Sequence, residues 1–258
     1  MEARKKTSKD KGKKLISQAS QAISFDNMLT INWMEKGLLN EVRDQCRCRC
    51  WAIVSCAATE SLYNINNQPT QLFQLAPQEL VNCVKKDYEA CYTCSINEGF
   101  RYAIQYGIRC EIDCPFLAQK HLVSIKTRIR FKNTDKEDED GIIEVLKKHP
   151  LGAAIFLTEK LKKYKKGIYE EPNEIFTKDA NHSVLLMGCG TDKETGKNFW
   201  VIQNSWGTSW GMNGYAKVMR SSSLPTGSQP ILSRLSYPED VDQFVCSKEQ
   251  IIEYCPTR

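Results

Sequence analysis

An α+β fold of two lobes, helical in its first half and sheet-rich in its second, is what this sequence predicts. Three observations carry the prediction. Between positions 50 and 107 apolar residues recur at helical spacing. From His182 onward they fall into short runs separated by glycine-containing turns. A chain of 258 residues with 41% apolar side chains is long enough to bury a substantial core, as one domain or as two lobes.

In chain order, residues 1–30 read as a basic arm passing into a short amphipathic stretch. Ala52 to about Ile65 (AIVSCAATESLYNI) is a helix with alanines at packing positions, and Cys50 sits at its start. There, backbone N–H groups and the helix dipole stabilise a thiolate. Pro77–Val81 opens a second short helix; Asn97 to about Tyr106 is a third, stopped by Gly107. Positions 133–140 (NTDKEDED) form a charged loop, followed by a short helix over Gly141–Lys148 and an apolar strand over Leu151–Leu157. Ser183–Gly188, Phe199–Asn204 and Gly214–Val218 are strands. There are no internal repeats.

The net charge of +5 comes from the lysine-rich first fourteen residues, and the remaining body is close to neutral. That balance argues against an extended phosphate-binding face, so nucleic acid is not an expected partner. No run approaches the roughly 18 uninterrupted apolar residues of a membrane span, so no membrane partner is expected either. The basic leader has no apolar core and does not read as a secretory signal, which predicts a cytoplasmic or nuclear location. It is a nuclear address, a nucleic-acid contact or a solvated arm. Twelve cysteines would form a disulfide framework in a secreted protein and would be mostly free thiols in a reducing compartment. Cys91-x-x-Cys94 and Cys110-x-x-x-Cys114 have ligand-like spacing for zinc, the minor alternative to a chain with no metal and no cofactor.

The chemistry lies in three segments: Gln45-Cys46-Arg47-Cys48-Arg49-Cys50-Trp51, Asn181-His182-Ser183 and Gln203-Asn204-Ser205-Trp206-Gly207. An ordinary thiol is mostly protonated at neutral pH, so a nucleophilic Cys50 needs an imidazole to take its proton. His182 and Asn204 follow roughly 130 and 150 residues later, a base and a side-chain amide to orient it. The Gln45 amide and the backbone N–H of Cys50 can supply the donors that a tetrahedral oxyanion needs. A lone cysteine is more often a small buried hydrophobe, and a lone histidine beside a strand is commonly a core residue. Order, spacing and flanking sequence give the combination its weight.

These segments resemble those of papain-like cysteine proteases over roughly residues 30–238. The run Asn204-Ser205-Trp206-Gly207-Thr208-Ser209-Trp210-Gly211, then Asn213-Gly214-Tyr215, is similar to the family's signature after its catalytic asparagine. Gln78–Cys83, Gln105–Ile108 and Ser236-Tyr237-Pro238 match family segments in the right order. The resemblance implies a helical N-terminal lobe and an antiparallel, β-barrel-like C-terminal lobe. It divides the chain into a basic arm at 1–30, a peptidase domain at 31–238 and a C-terminal extension at 239–258, where Cys246 and Cys255 have no assigned role. It implies Cys50 as nucleophile, His182 as general base and acid, Asn204 as its orienter and Gln45 as oxyanion donor. Trp206 shields the His–Asn hydrogen bond. Thr93 and Cys94 stand at the substrate wall, with Cys94 a neighbour of Cys50. Ala180 and Asn181, with Asp179, line the main specificity pocket opposite Ile96, which implies an apolar side chain at the second position before the cut.

Four departures from the family stand beside these matches. Cys46-Arg47-Cys48-Arg49 replaces small residues and is one residue shorter, which narrows the cleft, moves Gln45, or keeps the thiolate charged and favours acidic substrates. Thr93-Cys94 replaces two glycines that pair with substrate backbone. Cys91 matches a family cysteine that bonds to the one before the nucleophile, here Cys48 or Cys46, while Cys83 has no cysteine within 115–188 to join. Only about thirty residues precede the domain, too few for the family's propeptide; its relatives work in vacuoles, lysosomes or outside the cell, the alternative location. The leading expectation is a cysteine endopeptidase acting on peptides or proteins through an acyl-enzyme. The alternatives are a catalytically weak or inactive homologue that binds peptides or proteins, and a redox or metal-binding role for the cysteines.

Overall fold

In the computed structural model, the residues described are 28–45, 49–84, 92, 94–111, 129–133, 138–170, 182–225 and 230–241. Helix α1 (Cys50–Asn67) begins at the cysteine itself and ends at Gln68, which takes a left-handed conformation (φ 43°). It is buried on nearly every side, so its polar residues must be satisfied internally. Ser55, Thr59 and Ser61 donate to the carbonyls of Trp51, Ser55 and Ala57, one turn back, at 2.8, 2.9 and 2.6 Å. Helix α2 (Pro77–Cys83) has proline in its first turn, where the missing N–H costs nothing. In α3 (Ile96–Tyr106) the Ser95 hydroxyl accepts from the Glu98 N–H, and Gly107 ends the helix. Trp51, Leu75, Leu80, Tyr102 and Ile108 form the core of this helical lobe.

The second lobe is a single sheet. Its strands are β1 (Met28–Asn32), β2 (Ile129–Asn133), β3 (Leu151–Ile155), β4 (Ile168–Tyr169), β5 (His182–Thr191), β6 (Asn198–Gln203), β7 (Tyr215–Met219) and β8 (Leu232–Val241). The order is β2-β8-β3-β5-β6-β7-β4, with β1 paired to β5. Every pairing is antiparallel except β4 with β7. Helices α4 (Glu139–Leu146) and α5 (Glu159–Lys162) start at Asp138 and Thr158, whose side chains accept from Gly141 and Leu161 N–H. Leu151, Ile155, Val184, Leu186, Phe199 and Ile202 lie at the centre of the sheet's core.

This is the expected α+β plan of a helical lobe and a sheet lobe, with the sheet not closed into a barrel. Among the described residues the sheet is open, with β2 and β4 at its two ends rather than paired to each other. Strand β5 fills the middle because its buried run can pair on both sides and still receive β1. The sheet also extends from Met28 to Val241, beyond 31–238 at both ends.

The lobes meet where α1 and α3 lie against β3 and β5. Val54, Ala58, Ile96, Phe100 and Leu185 form one buried cluster there. Gly152 of β3 permits the close approach: a Cβ on it would come 2.9 Å from Ile96 Cδ1 and 3.1 Å from Val54 Cγ1.

Candidate active site

Asn204 follows β6 directly, and its backbone N–H donates to the Gly214 carbonyl at 2.9 Å. Gly214 has φ +90°, and a Cβ there would lie 2.6 Å from Val42 Cγ1, so glycine fits both the backbone and the space. The Ser205 N–H donates to Asn204 Oδ1 at 2.8 Å. A backbone N–H can only donate, so that atom is the amide oxygen. His182 Nε2, 2.7 Å from the same oxygen, must then be the donor. This fixes the tautomer: Nε2 carries the hydrogen, and Nδ1 is left as the basic nitrogen. Trp206 stacks on the imidazole at 4.5 Å between ring centroids and 28° between planes, and Trp210 meets Trp206 edge-on at 5.3 Å. His182 is 3% exposed, and burial pushes its pKa down to about 4 against the support of Asn204. Asn204 Nδ2 is buried without a hydrogen-bond partner among the described residues, beside a cavity of about 20 Å³.

Cys50 is a buried thiol at the first turn of α1. The N-cap residue Arg49 makes no side-chain capping bond, which leaves the amides of the first turn toward the sulfur. Burial pushes the Cys50 thiol up; hydrogen bonds to the sulfur from the Ser183 N–H and hydroxyl, and from the N–H groups of Trp51 and Cys50, pull the other way. Burial thus opposes charge on the Cys50 sulfur and on the His182 ring alike.

Gln45 is held from the Asn204 side. Its N–H donates to the Ser205 carbonyl at 2.8 Å, and the Ser205 hydroxyl donates to Gln45 Oε1 at 2.6 Å. With Oε1 occupied, the Gln45 NH₂ is the end left to donate elsewhere. The preceding segment is anchored by Arg43, whose guanidinium pairs with buried Glu60 of α1 at 3.0 Å. Glu60 also accepts from the Leu75 N–H (2.6 Å) and the Asn40 amide (2.8 Å).

The structure thus brings His182, Asn204 and Trp206 into contact, sets Ser205 against Gln45, and sets Cys50 against Ser183, the neighbour of His182. Of the expected wall, Cys94 packs on the helical-lobe core, and Ile96 is buried against Gly152. Thr93, Ala180, Asn181 and Asp179 lie outside the described residues, as do Arg47, Cys46, Cys48, Cys91 and Cys114. The Arg49 guanidinium donates to Gln78 Oε1 of α2 at 3.3 Å. Among the described residues no three His, Cys, Asp or Glu side chains gather as a metal site, and no helix is long and apolar enough to cross a membrane. Sequence reasoning missed Ser183, Ser205 and Glu60. Ser205 stood inside the signature run, and Ser183 beside the histidine, but neither hydroxyl carries a local signal of its partner.

The family model described as papain family cysteine protease matches residues 28–238. Vignain of Phaseolus vulgaris is 30% identical over 222 residues, covering 81% of this chain and 59% of its own length. A KDEL-tailed cysteine endopeptidase of Arabidopsis thaliana is 28% identical over 219 residues, again 81% of this chain and 59% of its own. The structure of the bromelain protease from Ananas comosus in complex with the E64 inhibitor superposes with a TM-score of 0.67 at 25% identity, covering 81% of this chain and 97% of that one. The chain spans about six tenths of the length of these two curated relatives.

Proposed function

This chain belongs to the papain family of cysteine proteases, and from that premise we propose that it is a cysteine endopeptidase with Cys50 as nucleophile, His182 as base and acid, Asn204 as orienter and Gln45 as oxyanion donor. The observation that carries the reading is the His182 Nε2–Asn204 Oδ1 hydrogen bond beneath Trp206, which leaves Nδ1 basic. In the proposed cycle, Nδ1 takes the Cys50 proton as Sγ attacks the scissile carbonyl. The Gln45 amide and the Cys50 N–H receive the oxyanion, and imidazolium returns the proton to the leaving amine. Water, deprotonated by the same nitrogen, then releases the acyl group. Substrates are peptides or proteins, with an apolar side chain at the second position before the cut. Cys94, Thr93, Ala180, Asn181 and Trp206 belong to the proposed wall, and the buried Ile96 supports it from behind. The division into an arm at 1–30, a domain at 31–238 and an extension at 239–258 is part of the same proposal, with the domain's sheet reaching out to Met28 and Val241. A secretory-route location has the KDEL-tailed relative behind it.

The test is covalent labelling by an epoxide of the E64 type. Labelling at one equivalent that vanishes in Cys50→Ala supports the reading, and absence of Cys50-dependent labelling refutes it. A second reading, a weak or inactive homologue that binds peptides, has a specific observation in its favour: burial pushes the Cys50 thiol up and His182 down, away from a resting ion pair. Peptide turnover lost in Cys50→Ala excludes it.

A further inference from the structure

We propose that the Ser183 hydroxyl is a further catalytic group of this chain, donating a hydrogen bond to Cys50 Sγ and stabilising that sulfur as a thiolate. The proposal rests on Cys50 being the reactive thiol.

The fold makes the contact. On α1, Cys50, Val54 and Ala58 recur every four residues and so share one face. On β5, Ser183 and Leu185 are two apart and share one side of the strand. Val54, Ala58 and Leu185 pack together in the cluster between the lobes. One turn before Val54 on the helix comes Cys50; two residues before Leu185 on the strand comes Ser183. The packing that joins the lobes therefore sets thiol against hydroxyl. Register fixes the strand side: Ser183 lies opposite Ala154 and His182 opposite Ile155. Alternation sends the imidazole to Asn204 and Trp206 and leaves Ser183 facing α1.

Ser183 is buried, and its hydroxyl and N–H both reach the sulfur. A methyl group would fill the same space, so packing does not call for the oxygen. The charge on the sulfur does. Burial penalises the thiolate, and among the groups that offset this penalty the two from Ser183 rank first. When Sγ attacks, its charge moves to the carbonyl oxygen and the hydroxyl keeps its proton, so the bond is strongest before attack. Ser183 thus raises the thiolate fraction while lowering the nucleophilicity of each thiolate.

That opposition gives the test. The full chain is alkylated with iodoacetamide across pH 4–9, forming the Sγ–carbon bond and releasing iodide. Wild type, Ser183→Ala and Ser183→Gly are compared, each also in a His182→Ala background. Losing one hydrogen bond to a charged atom raises the midpoint by about one pH unit, tenfold in the thiol–thiolate equilibrium. With a Brønsted slope of about 0.5, the acid limb falls about threefold and the alkaline plateau rises about threefold, so the profiles cross. Both variants are expected to give the same raised midpoint. Merely structural damage scales the rate without moving the midpoint, and that result, or superimposed profiles, overturns the proposal. The His182→Ala background separates the two readings. Equal wild-type and His182→Ala profiles refute the thiol–imidazole reading, whereas the shift on removing Ser183 within that background decides this one.

Discussion

On the sheet side of the site, His182 and Asn204 are fixed by directed side-chain hydrogen bonds under a stacked indole. On the helix side, the described partners of Cys50 are one side-chain hydroxyl and the amides of a helix start whose N-cap residue makes no side-chain capping bond. The first arrangement depends on particular residue types. The second depends mainly on backbone, which almost any sequence supplies. The matches to the family's signature are accordingly densest around Asn204, and the departures gather around Cys50. Position Arg49 can change because its side chain lies on Gln78 of α2 while its peptide enters the helix.

The largest break in this comparison is chemical. Cys50→Ala removes the proposed nucleophile, and peptide turnover should fall by about 10⁶-fold with folding intact, read by initial rates and by circular dichroism. A smaller break is structural: Glu60→Ala leaves Arg43 facing a site built for a carboxylate and frees Leu75 N–H, at an expected cost of about 3–5 kcal/mol. Denaturant midpoints measure it, and a loss below about 1 kcal/mol would show that this anchor is dispensable. A third tests the dry side. In Cys50→Ala, where no thiolate can charge the base, His182 keeps its depressed folded pKa of about 4 against an ordinary 6.5. The folded state then binds fewer protons than the unfolded, so stability is present above pH 6.5 and is lost as pH falls to 4, by about 3 kcal/mol. That loss should be missing when His182→Ala is added, and urea titrations at pH 7, 5.5 and 4 follow it. The mildest is Ser205→Ala, which frees Gln45 Oε1 while sparing the backbone bond. We expect kcat to fall about tenfold with KM little changed, because the oxyanion donor matters in the transition state. An equal change in KM alone would place Gln45 in substrate binding instead.

Much of the frame was legible because the signals were local. The third helix is expected from Asn97 and begins one residue earlier, at Ile96, where Ser95 caps it. The strand expected over Leu151–Leu157 stops at Ile155, because the chain turns toward Thr158, the cap of α5. What escaped was non-local. Strand β1 lies in the stretch read as an arm, and only its pairing with β5 makes it a strand. Strand β8 carries Pro238, which argues against an interior strand; it is accommodated where the register with β2 slips, opposite Phe131. Within the site, cysteine, histidine and asparagine announce their chemistry at a known spacing. Serine does not, and the work of Ser183 and Ser205 comes from partners roughly 130 and 160 residues away.

Strand β5 receives β1 from near one end of the sequence, while β8, from near the other, closes over its neighbour β3. Pairings so distant in sequence form slowly, because long loops must close first. During synthesis Cys50 emerges well before His182, and strand β8 emerges after both. On the proposed function, the ability to cut is therefore acquired late, once β1 and β8 have both joined the sheet.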